Sequence, residues 1–297
     1  MLGLGLLLAG ADATAAQPLH RLILWGFDKV QLGTLEGERS NDWRLTLTPL
    51  PVDPPVRNLI AASVAAERLA LVGLKNDARQ WAIFVVGVPS GRVEATVSRE
   101  ALTVALAPDG QRLAFTAPTP KPAIGASLMM TDLKGADVRV LVQEQVGARF
   151  HLSWHPSGET LVFDGTDGWI WSVRLADGQT SRLVEGQSPQ WAPDGHRLVF
   201  RRGQSAYIWK RGNVRLLNRR RFWQSDLSGS PSWSPRGDIV TWNGVSGYEF
   251  ECLLIEAASG RAWSILQRLV LVRPLASAAS ETLSSTIRLA SLGSVRQ

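Results

Sequence analysis

Only one of the 297 residues is a cysteine, Cys252, so an internal disulfide is impossible and a zinc site with several cysteine ligands is not expected. Cys252 begins an apolar run, which favours a small core side chain over a reactive thiol. The sequence also has no Gly-x-Ser-x-Gly, His-Glu-x-x-His, P-loop or dinucleotide-binding motif. We therefore predict no catalytic residues, no metal site and no cofactor, and enzymatic activity is the less favoured interpretation.

Long apolar runs are also missing, because no segment approaches the roughly eighteen consecutive apolar residues of a membrane-spanning helix. The apolar block at residues 1–9 is too short to span a bilayer, and Ala11, Ala13 and Ala15 have the spacing of a signal-peptidase site. We predict a signal peptide at residues 1–16 and a periplasmic or secreted protein whose mature chain has no transmembrane segment. A buried N-terminal strand or helix is the alternative interpretation.

A strong charge of one sign is absent as well. The formal net charge of +6 is spread over the whole chain. This density argues against nucleic acid as a partner, because nucleic-acid-binding domains concentrate basic residues in patches. A mildly basic protein still favours anionic partners such as the acidic surface of another protein.

What the sequence does contain is an internal repeat. Four ten-residue segments align without gaps and a fainter copy precedes them, at residues 62–71, 106–115, 154–163, 191–200 and 233–242. Each of the four has an apolar residue, often Trp, followed by Pro-x-Gly and a further apolar segment. Because proline fixes φ and glycine tolerates a positive φ, each copy predicts a tight turn between two strands.

A second predicted hairpin follows each copy, as at 169–175 and 180–184, which are joined by a turn containing Asp177 and Gly178. Two hairpins in about 40 residues have the size of one propeller blade. Apolar residues alternate with a period of two, which argues against a helical solenoid of similar repeat length. The predicted fold class is therefore all-β, a β-propeller of four-stranded blades.

The predicted propeller occupies residues 20–270. The five repeats lie near residues 58–98, 99–144, 147–185, 187–218 and 227–267. Residues 20–57 contain three plausible strands without the motif and are expected to form a degenerate blade. We predict a six-bladed ring, with the count open between five and seven, and we leave residues 274–297 unassigned.

The segment at residues 191–200, Trp-Ala-Pro-Asp-Gly-His-Arg-Leu-Val-Phe, resembles the TolB-type (WD-type) propeller repeat. The same repeat occurs in the propellers of prolyl-oligopeptidase-like enzymes. The α/β domain that precedes the propeller in TolB has no counterpart in this sequence. The resemblance implies a propeller fold and a TolB-like role as a protein-binding scaffold.

The candidate binding site is the connection at residues 218–230, between two repeats. Its first part holds three arginines and two aromatic residues, Arg219, Arg220, Arg221, Phe222 and Trp223. Arginine pairs bidentately with carboxylates and aromatic residues anchor interfaces, so this segment suits an acidic partner protein. A solvated charge run beside one buried Trp is the alternative.

Other conspicuous residues have structural interpretations. We expect Trp154, Trp191 and Trp233 to pack between neighbouring blades, because they recur at one position of the repeat. Trp169 and Trp171 are expected in the core. A non-catalytic binding scaffold is therefore the leading hypothesis. The alternatives are an enzyme with its active site in the central channel and the propeller remnant of a prolyl-oligopeptidase-like peptidase.

Overall fold

A computed structural model describes residues 5–9, 20–25, 30–36, 44–75, 80–118, 126–146, 151–219, 230–246, 249–268, 287–288 and 290–291. The regular elements of this part of the chain are all β-strands, which confirms the predicted all-β class. Within the same residues, no helix has the length and apolar character needed to cross a bilayer.

The described strands form one N-terminal sheet and five blades, each an antiparallel meander with strands in chain order. The N-terminal sheet comprises β1 (Gly5–Ala9), β2 (His20–Trp25), β3 (Val30–Glu36) and β4 (Arg44–Pro49). The blades comprise β5–β8 in blade 1 (Arg57–Ala65, Arg68–Leu74, Trp81–Gly87, Val93–Val97), β9–β12 in blade 2 (Thr103–Leu106, Arg112–Pro118, Ala126–Asp132, Arg139–Val146), β13–β16 in blade 3 (Leu152–Trp154, Thr160–Asp164, Trp169–Arg174, Thr180–Glu185), β17–β20 in blade 4 (Gln187–Trp191, Leu198–Arg202, Ser205–Lys210, Asn213–Asn218) and β21–β24 in blade 5 (Ser232–Trp233, Ile239–Ser246, Glu249–Glu256, Ala262–Arg268). Two short strands, β25 (Ile287–Arg288) and β26 (Ala290–Ser291), extend the N-terminal sheet and blade 5.

The first strands of neighbouring blades lie side by side, so they are the innermost strands of a propeller. We call the strands of a blade a to d from the centre outward. The a–b face is the end of the ring that holds the turns between strands a and b. The b–c face is the opposite end, which holds the turns between strands b and c and the connections from one blade to the next.

The blade count differs from the predicted six, because five blades are described. Residues 20–57 do not form a blade alone. Their strands β2 to β4 join a five-stranded sheet whose first strand, β1, comes from residues 5–9 and whose last is β25. The β1 strand contacts both β5 of blade 1 and β21 of blade 5. These residues lack the Pro-x-Gly turn, so the sequence could not show which strand begins the sheet.

The repeat builds the core through the last residue of each copy. Phe115, Phe163, Phe200 and Trp242 lie in strand b of four successive blades, and at most 1% of each side chain is exposed. The turn before each strand has the predicted geometry, with φ between 66° and 71° at the glycines of Pro-x-Gly. Glycine is the residue that adopts this φ without a steric cost. The turn thus delivers every copy's large apolar side chains to the interior.

Arginines of the repeat join neighbouring blades on the a–b face. Each donates a hydrogen bond to the carbonyl of the turn glycine in the next blade. The pairs are Arg68 with Gly110 (2.8 Å), Arg112 with Gly158 (3.2 Å) and Arg197 with Gly237 (2.8 Å). These bonds tie consecutive turns together and limit the movement of one blade against another.

The junction of blades 4 and 5 shows how the arginine is held. The Asp194 carboxylate lies 2.7 Å from Nε of Arg197, and the guanidinium lies 4.6 Å from the ring centroid of Trp233. Nε1 of Trp233 in turn donates to the carbonyl of Gln190 (3.0 Å). Blade 2 repeats this arrangement towards blade 3, with Asp109, Arg112 and Trp154.

The junction of blades 3 and 4 is built differently. Thr160 and Ser157 stand where blade 4 has Arg197 and Asp194. Here Nε2 of His155 lies 3.0 Å from the carbonyl of Gly195. The backbone N–H of Ser157 donates to Nδ1 (3.2 Å), so Nε2 carries the proton in the arrangement that satisfies both bonds.

Candidate partner-binding surface

The predicted site begins at the end of blade 4. Arg219 directly follows β20, so it lies on the b–c face, and it is exposed. Arg220, Arg221, Phe222 and Trp223 lie outside the described residues. The candidate surface therefore consists of Arg219 and the described residues around it on the b–c face.

Two further arginines occupy the same end of blade 4. Arg201 in β18 stands opposite Ala206 in β19, and Ala206 stands opposite Asn218 in β20. Arg202 and Arg219 each follow by one residue towards the b–c face. Blade 4 therefore ends in three arginines, drawn from its second strand and from the residue after its fourth.

The guanidinium of Arg202 lies over two aromatic rings. Its distance to the ring centroids is 5.8 Å for Phe200 and 5.5 Å for Tyr207, and these two rings stack on each other. Nε and Nη2 donate to the backbone carbonyl of Glu185 (3.1 and 2.9 Å). No carboxylate of the described residues forms an ion pair with Arg202. Its positive charge is thus fixed in place but not neutralised.

Blade 3 presents a similar arrangement beside it. The Arg182 guanidinium lies 5.6 Å from the Trp169 ring and 5.1 Å from the Trp171 ring. Nη2 of Arg182 donates to Asp167 (2.8 Å), which also accepts a bond from Nε1 of Trp171 (3.0 Å). The four side chains form one connected surface next to the turn between β14 and β15.

Trp169 was predicted in the core, and that prediction is wrong. It is 36% exposed, since it lies at the start of β15 with its ring against Arg182. Partial burial raises the pKa of the Asp167 carboxyl, but hydrogen bonds from Trp171 and Trp169 and the charge of Arg182 outweigh it, so the pKa lies below its usual range. Asp167 therefore stays ionised and holds Arg182 in position.

Sequence reasoning missed Arg182, Arg201 and Arg202. A usable signal was present for two of them: Arg201 and Arg202 immediately follow the repeat copy at 191–200. The end of strand b always lies on the b–c face, so polar residues after the last aromatic of a copy belong to that face.

A buried carboxylate fixes blades 3 and 4 together beneath this surface. Asp164 is 2% exposed and accepts hydrogen bonds from the backbone N–H groups of Ser188 (2.7 Å) and His151 (3.4 Å). Oγ of Ser188 lies 3.1 Å from Nδ1 of His151. Asp164 and Ser188 both face this same nitrogen, so the three residues do not form a catalytic relay, which needs one partner on each nitrogen.

The opposite end of the central channel holds a cavity of about 530 Å³. Among the described residues that line it, only Glu67 is charged. An active site would need several acid or base groups to converge, so the cavity does not favour the channel-enzyme alternative. The described residues also contain no group of three or more His, Cys, Asp or Glu placed to hold a metal ion.

Comparison with known proteins finds similarity to TolB proteins. A segment of 108 residues is 39% identical to the Protein TolB homolog of Chlorobium luteolum (strain DSM 273 / BCRC 81028 / 2530). The match covers 33% of this chain and 23% of that protein, so the chain aligns with less than a quarter of its curated relative. No family model matches the sequence.

Solved structures show the same fold. TolB from Acinetobacter baumannii superposes with a TM-score of 0.61 and 16% identity, over 80% of this chain and 60% of that one. A putative TolB from Agrobacterium tumefaciens gives 0.55 and 18%, over 69% of this chain and 79% of that one. At these identities the structures support the propeller fold, while the sequence match supports the TolB type of repeat.

Proposed function

We propose that this TolB-like β-propeller is a binding protein rather than an enzyme, and that it presents the b–c face of blades 3 and 4 to a protein with an acidic surface. The observation that carries the proposal is a pair of guanidinium groups that lie over aromatic rings. Arg202 lies over Phe200 and Tyr207, and Arg182 lies over the indoles of Trp169 and Trp171. Arginine and aromatic side chains dominate the energetics of protein interfaces.

Fixed positions make these arginines effective. Stacking and hydrogen bonding hold Arg182 and Arg202 before any partner arrives, so less side-chain entropy is lost on binding. Asp164 ties the two blades together below the surface. A carboxylate of the partner can approach Arg202, which has no ion pair among the described residues, and form a bidentate contact.

The segment predicted from the sequence extends this surface. Arg219 lies on the b–c face, and Arg220, Arg221, Phe222 and Trp223 follow it in the chain. We keep all five residues in the proposed interface. With Arg201 and Arg202 they would give blade 4 five arginines for one acidic patch, a charge density that accelerates association.

We also propose a location and a place for the N-terminal sheet. The apolar block at residues 1–9 and the small residues after it support export as a periplasmic or secreted protein. The β1 strand, Gly5–Ala9, lies inside the predicted signal peptide at residues 1–16, so cleavage would remove it. For the chain that keeps these residues, we propose that the N-terminal sheet occupies a sixth position in the ring. Its β1 contacts β5 and β21, the two neighbours that a sixth blade would have.

The experiment is capture from a cell-envelope extract on the immobilised full chain, with bound proteins identified by mass spectrometry. The variant Arg201→Glu/Arg202→Glu reverses the charge at the b–c face, and Arg261→Glu is the control, since Arg261 is exposed next to the turn between β23 and β24 on the a–b face. We expect a partner whose association rate falls at least tenfold with the double variant and is unchanged in the control.

Two results would contradict the proposed surface. One is a partner that binds the double variant as well as it binds the native chain. The other is a partner whose binding does not weaken when the salt concentration rises, because attraction between exposed charges is screened by salt. The same capture with Arg219→Glu tests the contribution of the predicted segment.

A further inference from the structure

The cavity on the a–b face is formed by the repeat itself. Its walls come from the ends of strands a and the following turns in all five blades. They include three indoles and four prolines at matching positions of the repeat: Trp154, Trp191, Trp233, Pro108, Pro156, Pro193 and Pro235. The result is a mostly apolar, aromatic cavity of about 530 Å³, a size usual for small-molecule sites.

One wall carries a charge. Glu67 belongs to the faint repeat copy of blade 1, where the Pro-x-Gly turn is replaced by Ala66 and Glu67 with φ of 48° and 57°. These are the values of a two-residue type I′ hairpin turn between the paired residues Ala65 and Arg68, and this turn holds Glu67 at the rim of the cavity. The carboxylate of Glu67 has no hydrogen bond or ion pair among the described residues. It is an exposed, unneutralised charge at an apolar cavity.

The aromatic walls are not equivalent. Trp154 and Trp233 already carry the guanidinium groups of Arg112 and Arg197. Trp191 has no such cation, because Thr160 stands at the corresponding position of blade 3, and its indole makes T-shaped contacts with His155 and Trp209. Within the described residues, Trp191 is therefore the indole of the cavity that no guanidinium covers.

We propose that this cavity binds an organic ammonium ion with an apolar body. The ammonium group pairs with Glu67, and the apolar body lies against the prolines and Trp191. Indoles attract organic cations through the negative face of the ring, and a carboxylate adds direct charge pairing. The site is at the opposite end of the channel from Arg202, so it is independent of the proposed protein interface.

The test measures binding of three matched probes to the full chain by isothermal titration calorimetry. 4-Phenylbutylamine is the cation, 4-phenylbutanol the neutral analogue and 4-phenylbutanoate the anion. We expect the amine to bind at least fivefold more tightly than the alcohol and at least tenfold more tightly than the acid. Equal affinity for all three probes, or no binding of the amine, would overturn the proposal.

Variants locate the site. Glu67→Gln should lower the affinity for the amine to that for the alcohol, while Glu159→Gln, an exposed carboxyl at the matching turn of blade 3, should change nothing. Trp191→Phe should reduce the quenching of tryptophan fluorescence by the amine. A Glu67→Gln protein that keeps its preference for the amine refutes the assignment. Loss of partner capture in Arg201→Glu/Arg202→Glu, with amine binding intact, keeps the two proposals distinguishable.

Discussion

The junction between blades 4 and 5 and the junction between blades 3 and 4 solve one packing problem with different residues. In both, the carbonyl of a turn glycine accepts a hydrogen bond from the preceding blade. The donor is Arg197 in the first case and His155 in the second. In both junctions the acceptor is the carbonyl that the glycine turn exposes. The donor differs, because Arg197 and His155 occupy different positions of the repeat.

The junction of blades 3 and 4 has a further contact on the other face. Nε1 of Trp233 donates a hydrogen bond to Gln190, whereas Nε1 of Trp191 has no acceptor among the described residues. Between the same two blades, however, the buried Asp164 binds the backbone N–H of Ser188 on the b–c face. The fixed point between blades 3 and 4 therefore lies beneath the proposed partner surface, whereas between blades 4 and 5 it lies around the cavity.

Replacing Trp233 or Trp191 should give the largest difference in stability between the two junctions. Trp233 is 4% exposed, so Trp233→Ala should lower the free energy of unfolding by about 4 kcal/mol through the cavity it leaves. Trp191→Ala should cost about 2 kcal/mol, because this side chain is only partly buried and lacks the arginine contact. Urea denaturation followed by circular dichroism measures both. Equal losses would show that the junctions are energetically alike.

The second test removes the buried carboxylate at the junction of blades 3 and 4. Asp164→Ala leaves two backbone N–H groups without their acceptor, and we expect a loss of about 3 kcal/mol in the free energy of unfolding. The control is Asp177→Ala, an exposed acid in the turn between β15 and β16, which should cost less than about 0.5 kcal/mol. Hydrogen exchange at Ser188 should also accelerate. An unchanged exchange rate at Ser188 would contradict the role assigned to Asp164.

Sequence reasoning predicted the hairpins and the fold class because both depend on local rules. Pro-x-Gly followed by an apolar strand determines each turn, and the φ values at Gly195 and Gly237 agree with it. The N-terminal sheet could not be assigned in the same way. Its first strand, β1, pairs with β2 across a segment that lacks the Pro-x-Gly motif, so the repeat did not show that residues 5–9 belong to this sheet.

The site was only partly predictable for a different reason. Arg219 could be assigned to the b–c face from the order of strands alone. The stacking of Arg202 on Tyr207 depends on the pairing of β18 with β19, and the contact of Arg202 with Glu185 joins two blades. Contacts between blades link residues that local sequence rules do not relate, so the stacking and hydrogen bonding that fix Arg202 emerged only from the fold.

Removing the hydrogen-bond donors, Arg197 or His155, should give a smaller difference in the free energy of unfolding than removing the tryptophans. Arg197→Ala removes a charge-assisted hydrogen bond, an ion pair and the contact with Trp233, and should cost about 2 kcal/mol. His155→Ala removes the hydrogen bond to Gly195, the local hydrogen bond with Ser157 and the T-shaped contact with Trp191, none of them charge-assisted, and should cost about 1 kcal/mol. Thermal or urea unfolding of the two variants side by side checks the order. A larger loss for His155→Ala would reverse the ranking of the junctions.

The smallest effect concerns the acid that holds the arginine. Burial raises the pKa of Asp194, but the backbone N–H of His196 and the charge and hydrogen bonds of Arg197 outweigh it, so the pKa lies below the ordinary value of 3.8. A lowered pKa in the folded state means that ionised Asp194 stabilises the fold above about pH 4, and that this stabilisation disappears as the pH falls through the lowered pKa.

Asp194→Asn should therefore lower the free energy of unfolding at pH 7 by at most about 1 kcal/mol, because the pair is partly exposed and screened. The difference from the native chain should shrink as the pH falls below 3.8 and through the lowered pKa of Asp194. Arg236 occupies the same position in blade 5 and is exposed, so Arg236→Asn is the matched control and its effect should not vary over this pH range. Urea titrations at several pH values measure both. A constant difference for Asp194→Asn would show that ionisation of the aspartate does not stabilise the fold, and the distinction between the junctions would then rest on the arginine and the indole it covers.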